Sequence, residues 1–187
     1  IEPHFLFNSL NTIASEIKNA PEKAEQLIIK LSDILRYLFD NSSREMINIR
    51  EEIGFLKKYA DLIQARFDKK IQIRWHNSLQ NENTEVPVLL LQPLVENVLR
   101  HAWKENGDPL TININIEEKN QGIVFTVKDN GQGIEANRLQ KLPVPGHALS
   151  NIKDRLQLNY KKDNLLKIES EYGRGTTVSI LLPVGKQ

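Results

Sequence analysis

The stretch VKDNGQG (residues 127–133) decides how the rest of the chain is interpreted. The alternating run GIVFTVKD leads into it, so the motif is expected at the end of a β-strand. A sequence such as Asp129-Asn130-Gly131 is typical of a plain turn. A carboxylate held at a strand end is also suited to accept a hydrogen bond from an exocyclic amine such as that of adenine, and glycines let a ligand lie against backbone. On this stretch alone, both interpretations stay open.

Upstream, VENVLRH (residues 95–101) places polar side chains on one side of an otherwise apolar helix. The polar side carries Glu96, Asn97, Arg100 and His101. Asparagine is a weak helix former whose amide needs hydrogen-bond partners, so an inter-helix hydrogen bond is one interpretation of Asn97. The other is a neutral oxygen ligand for Mg²⁺, an ion that keeps several waters and usually shares phosphate oxygens.

Downstream, two further segments carry glycine motifs. VPGHALSNIKDRL (residues 144–156) predicts a helix that begins after Gly146, and free amides at a helix N-terminus favour phosphate, although nearly every helix has such an end. GRGTT (residues 173–177) predicts a tight hairpin turn, and that structural role alone is enough to explain the motif. Thr176 is also placed to share a water with Asp129 and a bound base. Each signal is weak alone, and their order along the chain is the stronger observation.

The four motifs in order are E-N-x-x-x-H, D-N-G-x-G, G-x-x-L-x-N and G-x-G-T, on helix, strand, helix and hairpin. They resemble the ATP-binding domain shared by gyrase, the Hsp90 chaperones, MutL and histidine kinases, over about residues 86–183. The resemblance implies ATP between helices and a mixed sheet, with Asn97 holding Mg²⁺ and Asp129 contacting the adenine amine. It assigns further nucleotide contacts to His101, Gly131, Gly133, Gly146, Leu149, Gly173, Gly175 and Thr176.

The N-terminal stretch IEPHFLFNSLNTI (residues 1–13) predicts an amphipathic helix. Its apolar seam is formed by Leu6, Leu10, Ile13 and Ile17. At about 100° per residue, His4 and Asn8 lie on the opposite, polar face, so His4 is expected to face solvent. A second helix follows the turn NAPEKA, with an apolar stripe of Ala24, Leu27, Ile28, Leu31, Ile34, Leu35 and Leu38. Two such helices bury too little surface alone, and a dimeric four-helix bundle is expected.

The remaining pattern predicts a mixed second part. EEIGFLKKYADLIQARF (residues 51–67) places Ile53, Leu56, Ala60, Ile63 and Phe67 on one helical face, after a short link at residues 46–49. KIQIRWH alternates like a strand, and a helix is expected from Pro87 to Trp103, kinked or restarted near Pro93. Two hairpins follow. The fold class is α+β: a helical hairpin over about residues 1–44, then an α/β sandwich over about residues 45–187.

PHFLFNSLNTI closely resembles the phosphoacceptor segment of the LytS/YehU class of sensor histidine kinases. LSDILRYLF, IREEIGFLKKYADLIQARF and VPVLLLQPLVENVLRHAW match the same class in the same order. The resemblance implies a homodimer, ATP-dependent autophosphorylation of His4, and phosphoryl transfer to an aspartate of a response regulator, which in this class often carries a LytTR-type DNA-binding domain. Asn8 is suited to orient the imidazole, and Arg100 is suited to neutralise charge.

Two positions depart from the family pattern. Phe5 stands where many histidine kinases carry an acidic base, so the proton acceptor is unassigned, with Glu2 and Glu96 as candidates. Ala148 stands where many relatives have glycine, which restricts positive φ and weakens the expected nucleotide contact. These departures keep open a degenerate kinase that acts as an ATP-binding, dimeric interaction module. A third interpretation, an ATPase of the chaperone or mismatch-repair kind, leaves the PHFLFN segment unexplained.

Composition excludes several other classes. The 187 residues are 40% hydrophobic and 26% charged with a net charge of +1, so no strong field favours direct binding of nucleic acid. The absence of cysteine excludes disulfides, thiolate metal sites and cysteine nucleophiles. Because the sequence begins with Ile1, we expect a fragment, the cytoplasmic domain of an inner- or plasma-membrane protein, whose membrane attachment runs through a preceding region.

Overall fold

The computed structural model describes residues 3–102, 107–119 and 121–183, with side chains described from Phe5 onward. His4 lies in the first helix by its backbone, and its side chain is outside the described residues. The expectation that His4 faces solvent therefore stays a prediction. Of the helices described, none is long and apolar enough to cross a membrane.

The element order is helical first and mixed afterwards. The helices are α1 (Pro3–Asn19), α2 (Pro21–Asp40), α3 (Ile49–Phe67), α4 (Gln92–His101), α5 (Ala136–Leu139) and α6 (Ala148–Tyr160). The strands are β1 (Met46–Asn48), β2 (Ile71–Asn77), β3 (Glu85–Pro87), β4 (Leu110–Lys119), β5 (Gly122–Asp129), β6 (Leu166–Glu171) and β7 (Gly175–Leu182). Both predicted hairpins, β4–β5 and β6–β7, are confirmed, as is the α+β class.

The main sheet has five strands in the order β2-β4-β5-β7-β6. β2 and β4 run parallel, and the other neighbouring pairs are antiparallel. One face carries a row of buried side chains, among them Ile112, Ile114, Phe125 and Val127. The other face is polar, and the hydroxyls of Thr126 and Ser179 lie 3.1 Å apart across β5 and β7. This alternation gives a two-layer sandwich, in which the described helices pack on the apolar face.

Within the protomer, the buried face of α1 coincides only in part with the predicted seam. Phe5, Ser9 and Ile13 are buried at successive spacings of four residues. Leu10 and Ile17 are 47% and 55% exposed, so the predicted seam is only partly buried within the protomer. The physical reason is that α1 packs beside both α2 and α3, which rotates its buried face toward Phe5. The predicted apolar stripe of α2 is likewise only partly buried within the protomer.

Helix α3 is buried on two sides and joins the hairpin to the sheet. Toward the hairpin, the Phe55 ring stacks on Tyr37 at 4.4 Å between centroids, and Tyr59 lies 4.8 Å from Phe5. The predicted face of Ile53, Leu56, Ala60 and Ile63 is fully buried, with Phe67 partly buried. Aromatic residues at positions 55 and 59 widen the buried surface to about half of the helix. The hairpin and the sheet therefore share one hydrophobic core.

The predicted helix start at Pro87 is wrong. Residues 85–87 form β3, which pairs with β1, and α4 begins only at Gln92. The predicted link at residues 46–49 contains β1. Leu89 has a φ of 54°, in the left-handed region that an α-helix does not use. The fully buried Glu52 accepts hydrogen bonds from the backbone N–H of Leu89 at 2.9 Å and of Leu91 at 2.8 Å, and so stabilises the turn.

Arg155 holds the same turn from the opposite side. Its guanidinium, on α6, donates to the carbonyl oxygens of Leu89 at 3.2 Å and of Val88. Burial raises the pKa of Glu52 to about 7, although the backbone amides and the charge of Arg155 favour the carboxylate. The turn before α4 is thus fixed by one acid of α3 and one base of α6.

Glu52→Gln should change how stability depends on pH. A folded carboxyl with a raised pKa binds its proton more tightly than the unfolded chain, so the free energy of unfolding falls as pH rises from about 4.5 to about 7. The fall is on the order of 3 kcal/mol. We expect Glu52→Gln to lose this component in urea titrations followed by circular dichroism. The exposed neighbour variant Glu51→Gln should keep it, and equal pH profiles for wild type and Glu52→Gln would contradict the assignment.

Candidate functional site

A cavity of about 470 Å³ lies where α4, the end of β5, the segment before α6 and the β6–β7 hairpin meet. Its lining includes six of the residues predicted from the motifs: Asn97, His101, Asp129, Gly133, Leu149 and Thr176. The volume is in the range of small-molecule sites. The fold therefore brings together side chains from all four motifs, which are far apart in the sequence.

Asp129 is the central polar residue of the cavity. It ends β5, is 4% exposed, and its Oδ1 accepts hydrogen bonds from the N–H of Gly131 at 2.8 Å and of Thr176 at 3.2 Å. Burial raises the pKa of Asp129, and these two amides oppose the shift. Because both hydrogen bonds reach Oδ1, Oδ2 is the oxygen suited to accept from a bound molecule. The Thr176 hydroxyl pairs with Ser170 at 2.9 Å, so Thr176 contacts Asp129 through its backbone.

The glycines act mainly by letting backbone segments approach one another. Gly175 has a φ of 100°, and a Cβ there would overlap the carbonyl oxygen of Asp129. A Cβ at Gly131 would overlap Ala102 at the end of α4. Of the predicted glycines, Gly133 lines the cavity, whereas Gly131, Gly146, Gly173 and Gly175 are outside its lining. Gly131 and Gly175 therefore shape the site from behind Asp129.

The polar residues of helix α4 lie in different surroundings. Asn97 and His101 line the cavity. Glu96 is half-buried outside the lining, where the buried Gln92 donates a hydrogen bond to it. Burial raises the pKa of Glu96, and the Gln92 hydrogen bond opposes the shift. Arg100 is exposed on the last turn, and Asn8 is half-buried on α1, both outside the lining.

Basic residues that the motifs did not predict also line the cavity. These are Arg138, Lys141 and His147, from the segment between β5 and α6. Burial lowers the pKa of His101, and the neighbouring charges of Arg100, His147 and Arg138 lower it further. Glu135 lines the cavity from the same segment, but the cations of Arg138 and Lys141 outnumber its carboxylate, so this end suits an anionic group. The sequence signal was the presence of two cations and a histidine in a short segment that follows a glycine motif.

The departure at Ala148 has no steric consequence for the backbone. Gly146 has a φ of 80°, whereas Ala148 is the first residue of α6 and is not among the residues with positive φ. The expected restriction at this position therefore does not apply. The helix begins two residues after the glycine, as the sequence predicted.

The cavity fits a purine nucleoside polyphosphate. Val98, Ile168 and Val178 supply apolar walls, Asp129 supplies an acceptor, and the basic end suits phosphates. Among the described residues, no group of three or more acidic, histidine or cysteine side chains is placed to hold a metal. A divalent cation would therefore depend on the nucleotide's own oxygens together with the Asn97 amide, as Mg²⁺ commonly does.

Two protein families match the chain. The histidine kinase family matches residues 1–71, and the family described as histidine kinase-, DNA gyrase B- and HSP90-like ATPases matches residues 84–186. The second match contains α4, the cavity and all four motifs, and it implies use of ATP.

Curated relatives align along almost the whole chain. Sensor protein LytS of Bacillus cereus is 36% identical over 191 residues, which are 98% of this chain and 32% of that protein. Sensor protein LytS of Bacillus subtilis is 34% identical over 192 residues, again 98% and 32%. Sensor histidine kinase/phosphatase LytS of Staphylococcus aureus is 32% identical over 197 residues, or 100% and 33%. The chain spans about a third of the length of these relatives.

Solved structures support the fold. The histidine kinase domain of a blue-light activated kinase from Erythrobacter litoralis matches with a TM-score of 0.56 at 18% identity, over 91% of this chain and 80% of that one. The catalytic domain of histidine kinase ThkA matches with a TM-score of 0.55 at 18% identity, over 74% and 93%. At this identity the likeness concerns the fold.

Gly175→Ala and Gly173→Ala form a matched pair that tests how the site is built. Both glycines have positive φ, at 100° and 83°, but a Cβ at Gly173 meets nothing within 4 Å. We expect Gly173→Ala to cost about 1 kcal/mol of stability from backbone strain alone. Gly175→Ala should cost clearly more and weaken nucleotide binding, because it displaces Asp129 and Thr176. Denaturant titration and calorimetry measure both, and equal effects of the two variants would contradict the close approach.

Proposed function

The chain belongs to the histidine kinases that carry a histidine kinase-, DNA gyrase B- and HSP90-like ATPase domain, and we propose that it is a sensor kinase core that phosphorylates itself on His4. The supporting observation is the cavity in which Asn97, Asp129 and Thr176 meet, built onto the same core as the helix that bears His4. Residues 1–44 would dimerise and present the histidine, and residues 45–187 would bind ATP.

Nucleotide binding follows from the cavity chemistry. Asp129 would accept a hydrogen bond from the exocyclic amine of adenine, between the apolar walls. His101 and the cations Arg138 and Lys141 would face the phosphates. The Asn97 amide oxygen would hold Mg²⁺, which supplies charge neutralisation on the phosphate oxygens when bound. Gly133 and Leu149 would complete the walls of the pocket, with Gly131, Gly146, Gly173 and Gly175 shaping its backbone.

In the transfer step, a ring nitrogen of His4 would form a bond to the γ-phosphorus while the bond to the ADP oxygen breaks. The ring then loses a proton to a base. Glu96 is our candidate acceptor, since it adjoins Asn97 on α4 and its raised pKa brings it nearer to working pH. Arg100 would neutralise charge on the phosphoryl group, and Asn8 would orient the imidazole from the next turn of α1.

The partners we propose are a second copy and a response regulator. Exposed apolar side chains continue along both hairpin helices next to the buried face: Phe7, Leu10 and Ile17 on α1, with Ile28, Leu35 and Phe39 on α2. A four-helix dimer would bury them. The phosphoryl group would pass from His4 to an aspartate of the regulator, for which we propose a LytTR-type DNA-binding output. The chain itself would act on the cytoplasmic side of the membrane that holds the sensor.

Incubation with γ-labelled ATP and Mg²⁺ tests the proposed reaction. We expect label that is labile in acid and stable in base, lost in His4→Gln and retained in the matched control His76→Gln, whose histidine is exposed on β2. Asp129→Asn should also abolish labelling, through lost nucleotide binding seen by calorimetry. Tight binding of ATP without any label would instead favour the nucleotide-gated interaction module. Label that survives His4→Gln would contradict the role of His4.

Leu10→Glu and Leu35→Glu test the dimer interface. A charge at the centre of the four-helix contact loses its hydration, so we expect the dissociation constant to rise by tenfold or more, at about 1.4 kcal/mol per tenfold. Sedimentation equilibrium measures it. Leu158→Glu is the matched control, because Leu158 is 78% exposed on α6, away from the hairpin. A dimer that persists unchanged in both hairpin variants would refute this interface.

A further inference from the structure

Arg66 occupies the last turn of α3, at the place where the beginning of α1 packs against it. Its guanidinium carbon Cζ lies 4.2 Å from the centre of the Phe67 ring and 5.9 Å from the centre of the Phe5 ring. Phe5 is 7% exposed, and its ring also contacts the ring of Tyr59 on α3. The guanidinium is thereby held between two aromatic side chains, and Phe5 is the residue directly after His4.

The Arg66 guanidinium lies partly out of water, and no ion pair formed among the described residues offsets the cost of burying its charge. It is half-buried, and burial lowers the pKa of Arg66. The ion pairs formed among the described residues involve other cations, and none of them includes Arg66. Aromatic faces attract a cation but leave its fork of N–H donors without acceptors. Such a group is suited to receive an anion that arrives during function.

Three helices meet around Tyr59, close to Arg66. The Tyr59 ring contacts Phe5 of α1, and its buried hydroxyl lies beside the Gln92 side chain of α4. Burial is the main cause that raises the pKa of Tyr59, and the negative charge of Glu96 on α4 raises it further. His4 is one residue, about 1.5 Å of helix rise, before Phe5. Arg66 therefore adjoins the start of α1, and Tyr59 lies between it and the side of α4 that carries the proposed base.

We propose that Arg66 is a phosphoryl-binding residue, whose guanidinium contacts the phosphoryl oxygens as they pass to His4 and while they remain there. An arginine fork donates two parallel N–H bonds to such oxygens, which a lysine does not reproduce. The proposal rests on the proposed autophosphorylation. In that step the N–P bond forms on His4, the γ-phosphorus–oxygen bond breaks and ADP leaves with its electron pair. The ring proton goes to a carboxylate, and Arg66 keeps its own protons.

Arg66→Met and Arg66→Lys test this role in the full chain, with Arg74→Met on the exposed face of β2 as the matched control. Methionine keeps an apolar stem between the two rings while removing the charge. We expect the initial rate of His4 labelling to fall by about tenfold to a hundredfold in Arg66→Met, as for a lost hydrogen bond to a charged group. Arg66→Lys should be intermediate and Arg74→Met unchanged. Affinity for ADP should be the same in all of them, because Arg66 does not line the cavity.

Chemical rescue distinguishes the proposed role of Arg66 from a purely structural one. Added guanidinium ion at a concentration that does not unfold the protein should restore labelling of Arg66→Ala, and it should not restore labelling of Asp129→Asn. Labelling of Arg66→Met at the wild-type rate would overturn the proposal. So would a loss of labelling that accompanies a lower melting temperature or weaker ADP binding and is not rescued. A wild-type protein that fails to label His4 would instead refute the proposed function, and the two failures are thus distinguishable.

Discussion

The packing of α3 on two sides is the constraint on which the other features depend. Phe55 and Tyr59 bury one side against the hairpin, and Ile53 and Leu56 lie on the side that is buried with the sheet. Glu52, on the same helix, fixes the turn from which α4 begins. One helix thus joins the segment that carries the histidine to the helix that carries Asn97. A shift of the hairpin relative to α3 would displace residues of the nucleotide cavity through these contacts, because packed interiors transmit displacement.

The cavity offers the few chemical groups that the proposed phosphoryl transfer requires. Catalysis of this kind depends mainly on positioning and on neutralising charge. Asp129 offers one acceptor oxygen to the cavity, and its position is set by the backbone amides of Gly131 and Thr176. Arg138 and Lys141 supply cations from a short segment above the cavity. The hydrogen-bond acceptor lies deep in the fold and the cations lie at the rim, where they are able to follow the phosphates.

Much of the fold and part of the site were predictable from the sequence, for physical reasons that differ by element. The strands β4, β5 and β7 alternate strictly because one sheet face is polar, and so their period is visible locally. The turn before α4 was missed because its amides are satisfied by Glu52, from a distant helix, and no local pattern encodes that contact. The burial of Phe5 was not predictable because its ring packs on Tyr59 of α3, a contact that the helical period of α1 does not show. Arg138 and Lys141 were missed because exposed cations are common, and only the fold shows that they face a cavity.

The nucleotide cavity is proposed to serve the histidine at the start of α1. Tandem mass spectrometry on wild-type protein incubated with ATP and Mg²⁺, quenched and digested at alkaline pH to preserve phosphohistidine, tests it most directly. We expect a phosphoryl group on His4 in the N-terminal peptide. A phosphoryl group found on Ser9, Thr12 or another side chain, or ATP consumed with only free phosphate produced, would contradict it.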